Sequence, residues 1–331
     1  MKEVWVYIEQ EEGKIHPVSF ELLGVAQRLA SDLSGRVSAL LLGYKVEDII
    51  DEIFAYGAEK IYYLDHQVLS YYRHIPYVKG ASELAKKYKP EIFLIGATPL
   101  GRDLAGGVAT HLETGLTADV TELSIDSETG QLLMTRPAYG GNIMATIVCP
   151  HHRPQMATVR PRIFPVPERK SSIKGELIRE SVELHEDEAK VKRLAFIPKE
   201  KAVNLEYAEV IVAGGKGIGS KDGFSLLAEL AKELKGELGA SRLAVEAHWI
   251  GYEHQVGQTG KTVRPKVYLA FGISGAIQHR AGMQNSDFIV AVNTDPEAPI
   301  FQIANLGIVG DWKKVAEALL FAIRKERSTD G

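Results

Sequence analysis

The sequence predicts a two-domain α/β protein, with an N-terminal parallel-sheet domain over residues 1–200 that carries an antiparallel excursion and a C-terminal doubly wound domain over residues 201–331. Three observations point there. Short β-branched runs alternate with amphipathic stretches through the first third of the chain, the rhythm of a parallel sheet covered by helices on both faces. A segment rich in proline and charge, residues 161–200, then breaks that rhythm. Beyond it the β/α alternation restarts, with glycine-rich turns behind two of its strands.

Taken in order, residues 4–8 (Val-Trp-Val-Tyr-Ile) read as a strand and residues 20–33 as a helix with apolar residues at helical spacing. Residues 37–42 are a second buried strand, and 49–56 a short helix stopped by Gly57. A third strand follows at 60–64, a helix runs up to Lys89-Pro90, a fourth strand covers 92–96, and a glycine-bearing helix covers 100–111. From Leu116 the pattern changes to three strands, 118–125, 131–136 and 142–149, separated by turns at 127–130 and 139–142. The acidic run Glu186-Asp187-Glu188 reads as solvated surface, and a last strand is expected at 193–197. In the second domain, strands are expected at 209–213, 267–271, 288–292 and 307–310. Helices are expected at 224–234, after Gly272 through Ala281, and from the capping Asp311 to Arg324.

Composition narrows the function. Hydrophobic residues make up 45% and charged residues 25%, enough for a sizeable core. The net charge of −4 gives no basic footprint for nucleic acid. Neither a signal peptide nor a membrane-spanning run is read, so the expectation is a cytoplasmic protein without membrane insertion. Cys149 is the sole cysteine, which rules out a disulfide within the chain and the thiolate set of an iron–sulfur cluster. If the chain moves electrons, an organic cofactor must carry them. The histidine pair His151-His152 has no acidic or cysteine partner at ligand spacing, so no metal site is expected.

Three glycine-bearing segments carry the chemistry. Residues 272–279 follow an expected strand and open a helix, where exposed N–H groups and the helix dipole favour a diphosphate. An ordinary tight strand-to-helix turn reads the same residues equally well. Residues 214–219 hold the equivalent place after the domain's first strand, but lack the third glycine of the full dinucleotide fingerprint. Lys216 there meets a phosphate or stays in solvent. Residues 257–262 fall short of a P-loop because Gln255 stands where its first glycine belongs. That loop is dense in hydrogen-bonding groups suited to a flavin's ring edge, and a polar surface loop is the plain alternative. Arg242 and His279 are candidate cations for negative charge on a reduced flavin, or simply surface and structural residues.

The order and spacing of Gly239-Ala240-Ser241-Arg242, of the run from Gln255 to Lys261, of Gly272 to His279, and of Asn293 with the run from Asp295 to Gln302, resemble the alpha subunit of electron transfer flavoproteins. The resemblance extends through Gly310-Asp311 and back to Gly101-Arg102-Asp103-Leu104-Ala105 and Arg160-Pro161, so it covers essentially the whole chain. It implies that the second domain is flavodoxin-like and binds FAD. Ser274, Gly275, Ala276, Ile277, Gln278 and His279 would line the diphosphate and reach the pyrimidine side of the flavin, with His279 near O2. Arg242 would lie against the ring, and Thr259 would approach N5 beside Val256, Gly257 and Gln258. Ser241, Asn293 and Asp311 would contact the ribityl, ribose or adenine parts, with Trp312 at the adenine end. Lys216 stands where relatives often have arginine, which keeps the charge and loses the planar fork.

The resemblance also implies a heterodimer, the N-terminal domain pairing with a beta subunit, and a chain without a substrate pocket of its own. Tyr252-Glu253-His254 and Thr262 are closer to members that bifurcate the electrons of NADH between ferredoxin or flavodoxin and a second acceptor. The alternative is a conventional carrier between acyl-CoA dehydrogenases and a quinone reductase. Two other classes stay open on the residues alone. A self-sufficient NAD-dependent dehydrogenase is opposed by the incomplete glycine fingerprint, and a nucleotide-sensing module would bind adenine nucleotides without flavin.

Overall fold

The computed structural model describes residues 1–138, 143–171, 175–196 and 203–329. The chain divides into two compact units, Met1–Phe196 and Ile197–Gly331. Among the described residues no helix is long and apolar enough to cross a membrane.

In the first unit β1 (Glu3–Ile8) leads through a small hairpin, β2 (Gln10–Glu11) and β3 (Lys14–Ile15), into α1 (Pro17–Asp32). The His16 side chain accepts the Val18 N–H, and Pro17, with no N–H to leave unsatisfied, opens the helix. There follow β4 (Arg36–Gly43), α2 (Ile50–Ala55), β5 (Lys60–Asp65), α3 (His74–Tyr88), β6 (Ile92–Gly96) and α4 (Pro99–His111). Then come β7 (Leu116–Val120), β8 (Glu122–Ile125), β9 (Leu132–Ala138), β10 (Ile143–Ile147), β11 (Gln155–Val159) and β12 (Glu176–Glu180). Seven strands form one sheet in the order β12-β5-β4-β1-β6-β11-β7, and every pair in it is parallel. Alternation along β1 sends Val4, Val6 and Ile8 into the core under α1 and α2, and Trp5 and Tyr7 into the core under α3 and α4. A strand buried on both faces reads as an unbroken apolar run, which is why β1, β4 and β6 stand out in the sequence.

The differences from expectation lie where that signal fades. The strand expected at 118–125 is two strands, broken at Thr121, with a left-handed Asp119 (φ 62°) inside the first. Its first part, β7, joins the parallel sheet beside β11, and only β8 enters the antiparallel sheet β10-β9-β8. The turn expected at 139–142 lies outside the described residues, and β10 begins at Ile143. β11 carries no strong apolar signal in Gln155-Met-Ala-Thr-Val159, yet all five residues are buried between β6 and β7. β12 is an edge strand within the charged segment, paired only with β5. No strand forms over 193–196, and Ile197 lies outside the described residues. The acidic run is more than solvated surface. It forms a short turn of 3-10 helix in which Glu186 pairs with Arg73 at 2.6 Å and Glu188 with Lys79 at 2.8 Å.

The second unit contains β13 (Val210–Gly214), α5 (Gly223–Glu233), β14 (Glu237–Ala240), α6 (Arg242–Glu246), β15 (Val267–Phe271) and α7 (Ile277–Arg280). It closes with β16 (Phe288–Asn293), β17 (Leu306–Val309) and α8 (Trp312–Thr329). The order β14-β13-β15-β16-β17, all parallel, is the 2-1-3-4-5 order of a flavodoxin-like sheet. α5 and α8 pack on one face through Phe224, Leu227, Leu230, Ala316 and Leu320. β14 and α6 were not expected: Glu-Leu-Gly-Ala is too short and too poor in β-branched residues to announce a strand. The helix after Gly272 is also shorter than expected. Residues 272–276 form an irregular turn, and only four residues, Ile277–Arg280, are helical.

Candidate functional site

In an open parallel sheet the loops at the carboxyl ends of the strands part where the strand order reverses, and a crevice opens there. In the second unit that point lies between β13 and β15. A cavity of about 530 Å³ occupies it, within the ordinary size of a cofactor site. Its walls come from the loop after each of β13 to β16 and from the excursion between α6 and β15. They are Lys216 and Gly217; Ser241, Arg242 and Leu243; Gln255 to Thr259; Gly272 to Ser274 with Ala276, Gln278 and His279; and Asn293, Asp295 and Ala298.

Backbone contacts between loops set the walls. A Cβ on Gly215 would lie 2.2 Å from the Gly272 carbonyl oxygen, so the loops after β13 and β15 can touch only because a glycine is there. Gly217 N–H donates to that carbonyl at 3.0 Å. On the opposite side the Gln258 N–H donates to the Gln278 carbonyl at 2.7 Å, and the Val256 N–H to the Ala240 carbonyl at 2.9 Å. Between these anchors, the backbone N–H groups of Ser274, Gly275, Ala276, Ile277 and Gln278 have no backbone acceptor among the described residues. A run of unengaged donors at one end of a crevice suits a diphosphate.

His279 faces the same space from below. It is 7% exposed, and its Nε2 lies 3.0 Å from the hydroxyl of the fully buried Tyr268. Burial pushes the imidazole down to about 4, and the Val256 backbone offsets only part of that. Its Nδ1 is buried and lacks a partner of good hydrogen-bond geometry. Near neutral pH this group is therefore an uncharged imidazole held against Tyr268, where a cation was one of the two expectations. Unsatisfied buried polar atoms are uncommon in native proteins, and a ligand atom is one ordinary way to satisfy them.

The remaining side chains divide by how much of their bonding capacity the protein already uses. Ser241 caps α6 with its backbone but makes no side-chain cap bond. Arg242 lines the cavity while its Nε donates to Glu246 at 2.7 Å, so part of its charge is answered on its own helix. Asn293 is half engaged: its Nδ2 donates to the Ile273 carbonyl at 3.0 Å and its Oδ1 accepts the Asp295 N–H at 3.0 Å. It braces two loops and keeps one N–H and one lone pair. Lys216, Val256, Gly257, Gln258, Thr259, Ser274, Ala276 and Gln278 are all brought to the wall.

Four expected contacts are placed otherwise. Gly275 does not line the cavity; its φ of 84° and a would-be Cβ only 2.3 Å from the Ile300 nitrogen show a backbone role. Ile277 is 70% exposed and stands outside. Asp311 accepts the Lys314 N–H at 3.0 Å, capping α8, and the half-buried Trp312 packs against Gly223 at the start of α5. Conversely, Gly217, Leu243, Gln255, Gly272, Ile273, Asp295 and Ala298 reach the wall without having been named as contacts, although all but Leu243 lie in the segments singled out. Most adjoin residues that were, so the signal available was adjacency to a strand end.

Comparison with known proteins matches both units. Residues 4–185 match the family described as "Electron transfer flavoprotein domain", and residues 204–284 the one described as "Electron transfer flavoprotein FAD-binding domain". The chain is 51% identical over 325 residues to an electron transfer flavoprotein subunit alpha of Thermoanaerobacterium thermosaccharolyticum, covering 98% of each chain. It is 48% identical over 332 residues to Protein FixB of Azorhizobium caulinodans, covering 99% of this chain and 90% of that one. An electron transfer flavoprotein subunit alpha of Megasphaera elsdenii is 48% identical over 329 residues, with 98% and 97% covered.

Proposed function

The chain belongs to the electron transfer flavoprotein family as an alpha subunit, and from that premise we propose that its second unit binds FAD in the switch-point cavity. The observation that carries the proposal is the cavity wall itself, where the unengaged backbone N–H groups of Ser274, Ala276 and Gln278 lie beside the buried imidazole of His279. The donors suit the cofactor's diphosphate, and His279 suits a polar atom on its flavin ring.

FAD supplies the one- and two-electron chemistry. The chain's own residues hold and tune it. The backbone N–H groups of Ser274, Ala276 and Gln278 bind the diphosphate, assisted by the Lys216 charge. His279, neutral and hydrogen-bonded to Tyr268, gives the ring edge an uncharged neighbour. Arg242 places a cation by the ring and favours negative charge there. Thr259 lies at the opposite wall with Val256, Gly257 and Gln258. The buried Ile273 and Ala298 give the wall its apolar surface.

The first unit pairs with a beta subunit in this reading. Ile143, Met144, Ile147 and Val148 expose apolar side chains along and just after β10, and contiguous exposed apolar residues of that kind suit a partner. The heterodimer exchanges electrons with a flavoprotein dehydrogenase in the cytoplasm. The fit of Tyr252-Glu253-His254 and Thr262 to bifurcating members favours NADH-dependent bifurcation with ferredoxin or flavodoxin as low-potential acceptor. Flavin analysis of the co-purified heterodimer decides. Two FAD per heterodimer, reduced by NADH, are expected; one FAD plus AMP, inert to NADH, would leave the conventional carrier. A heterodimer without any flavin would overturn the proposal.

A further inference from the structure

The sheet of the first unit has a switch point of its own. From β1 the chain lays β4 and β5 on one side, then crosses back to lay β6 on the other. A cavity of about 440 Å³ opens at the carboxyl ends of these two central strands, and its lining residues all belong to the first unit. The loop after β1 supplies Glu9, Glu11 and Glu12, the segment after β5 supplies Tyr72, and α3 and α4 supply Tyr77 and Leu100.

Glu9 is the buried charge of this cavity, 7% exposed, and it is held in place. Its N–H donates to the Ser19 Oγ at 3.0 Å, and its carbonyl accepts the His16 N–H at 2.8 Å. Its Oε2 accepts the Thr98 hydroxyl at 2.6 Å. The direction of that bond is fixed, because the Thr98 oxygen already caps α4 by accepting the Gly101 N–H at 2.8 Å. The other carboxylate oxygen, Oε1, takes no hydrogen bond from any described residue. Burial holds the Glu9 carboxyl above the ordinary carboxylate range, the Thr98 bond offsets part of that, and the Glu11 charge adds to it. A cation at Oε1 would answer both the burial and the repulsion.

The rest of the wall suits an organic cation better than an anion. Tyr72 and Tyr77 pack with ring centroids 5.0 Å apart. Both spend their hydroxyls elsewhere, Tyr72 on Asp103 at 2.5 Å and Tyr77 on the Leu69 carbonyl at 2.8 Å, which leaves ring surface for the cavity. Glu11 and Glu12 are exposed at the rim. Pro99 brings no N–H to the start of α4, and Thr98 has taken that of Gly101, so no cradle for a phosphate forms there. Lys14 and Arg193 also line the cavity, but among the described residues neither pairs with its carboxylates, and Arg193 lies 4.2 Å from the centroid of the Tyr71 ring.

We propose that this cavity binds a small organic ammonium, its charged nitrogen hydrogen-bonded to the Glu9 Oε1 and its apolar body against Tyr72, Tyr77 and Leu100. A buried carboxylate with one unused oxygen beside aromatic rings supplies both halves of such a site, a charged acceptor for the nitrogen and ring surface for the cation and the body.

The test is isothermal titration of the full-length chain, co-purified with its beta subunit. Benzylamine is the probe, and benzyl alcohol and adenosine are its uncharged counterparts. One saturable benzylamine site is expected, with benzyl alcohol about tenfold weaker or more. Glu9→Gln preserves the shape and an acceptor for Thr98. It should weaken benzylamine by about ten- to a hundredfold, the equivalent of a charged hydrogen bond, and leave benzyl alcohol where it was. Tyr72→Leu, which spares Glu9, should weaken benzylamine about threefold or more through the lost ring, and it carries the test should Glu9→Gln not fold. The absence of a saturable benzylamine site would overturn the proposal. So would benzyl alcohol or adenosine binding as tightly as benzylamine, or wild-type benzylamine affinity in either variant. None of these outcomes bears on the FAD reading of the second unit.

Discussion

Two residues at the cavity wall, His279 and Arg242, respond to different handles. His279 is buried as a neutral imidazole, its folded pKa lowered to about 4 against an ordinary 6.5. Between those values the unfolded chain binds a proton that the folded chain refuses. Stability from this group is therefore complete above about pH 6.5 and is lost as pH falls toward 4, by up to about 3 kcal/mol. Urea unfolding of the FAD-free protein should show that slope, and His279→Gln should remove it; an unchanged slope would mean another group is responsible. Arg242 acts on the cofactor instead. Arg242→Ala should lower the FAD potential by about 1 kcal/mol per electron, on the order of 40 mV. Glu246→Gln should move it upward, because the Arg242 guanidinium then answers to the ring alone. A redox titration that ignores both substitutions would show Arg242 is not the tuner. The sequence made both residues candidates, but His279's lost charge follows from Tyr268 and the core beneath it, which are apart in sequence and together only in the fold.

Among the elements, the strand-to-helix turns do most to shape the site. Gly275 keeps 272–276 out of a regular helix, and the Ser274 carbonyl accepts the Ile300 N–H at 3.0 Å beside it. Gly275→Ala should cost about 1–3 kcal/mol, from the left-handed φ of 84° and the 2.3 Å approach to Ile300 together. It should also weaken FAD binding, since the run of free N–H groups would shift. Thermal unfolding and a flavin titration on one preparation separate these effects, and a variant unchanged in both would refute the account. Strands such as β1, β4, β13 and β15 were legible because burial on both faces leaves continuous apolar runs. β11, β12 and β14 were not. Gln155, Thr158 and the Gly239 pair of neighbours belong to strands only because partner strands supply the hydrogen bonds. The helix expected after Gly272 failed for a related reason: its apolar spacing is local, while the contact with Ile300 that keeps its first turn open is not.

For the whole molecule, the two compact units predict a selective response to cofactor. FAD at a hundred times its dissociation constant should stabilise the unit that binds it by about 2.7 kcal/mol. Hydrogen exchange should show that protection over residues 203–329, with the sheet of the first unit unaffected by FAD beyond what its partner conveys; uniform protection of both units would contradict the assignment. By itself the sequence determined the α/β class, the break between two β/α rhythms, and the strand-end glycines, because burial periodicity and backbone freedom are written locally. The tertiary structure alone decided which turns converge. Gly215 meets Gly272 and Gln258 meets Gln278 across the 2-1-3-4-5 strand order. It also made Asp311 the cap of α8 and set Trp312 against Gly223, and it took the charge from His279. Each of these depends on neighbours distant in the chain, and hydrogen bonding and desolvation are set by such neighbours rather than by the residue's own type.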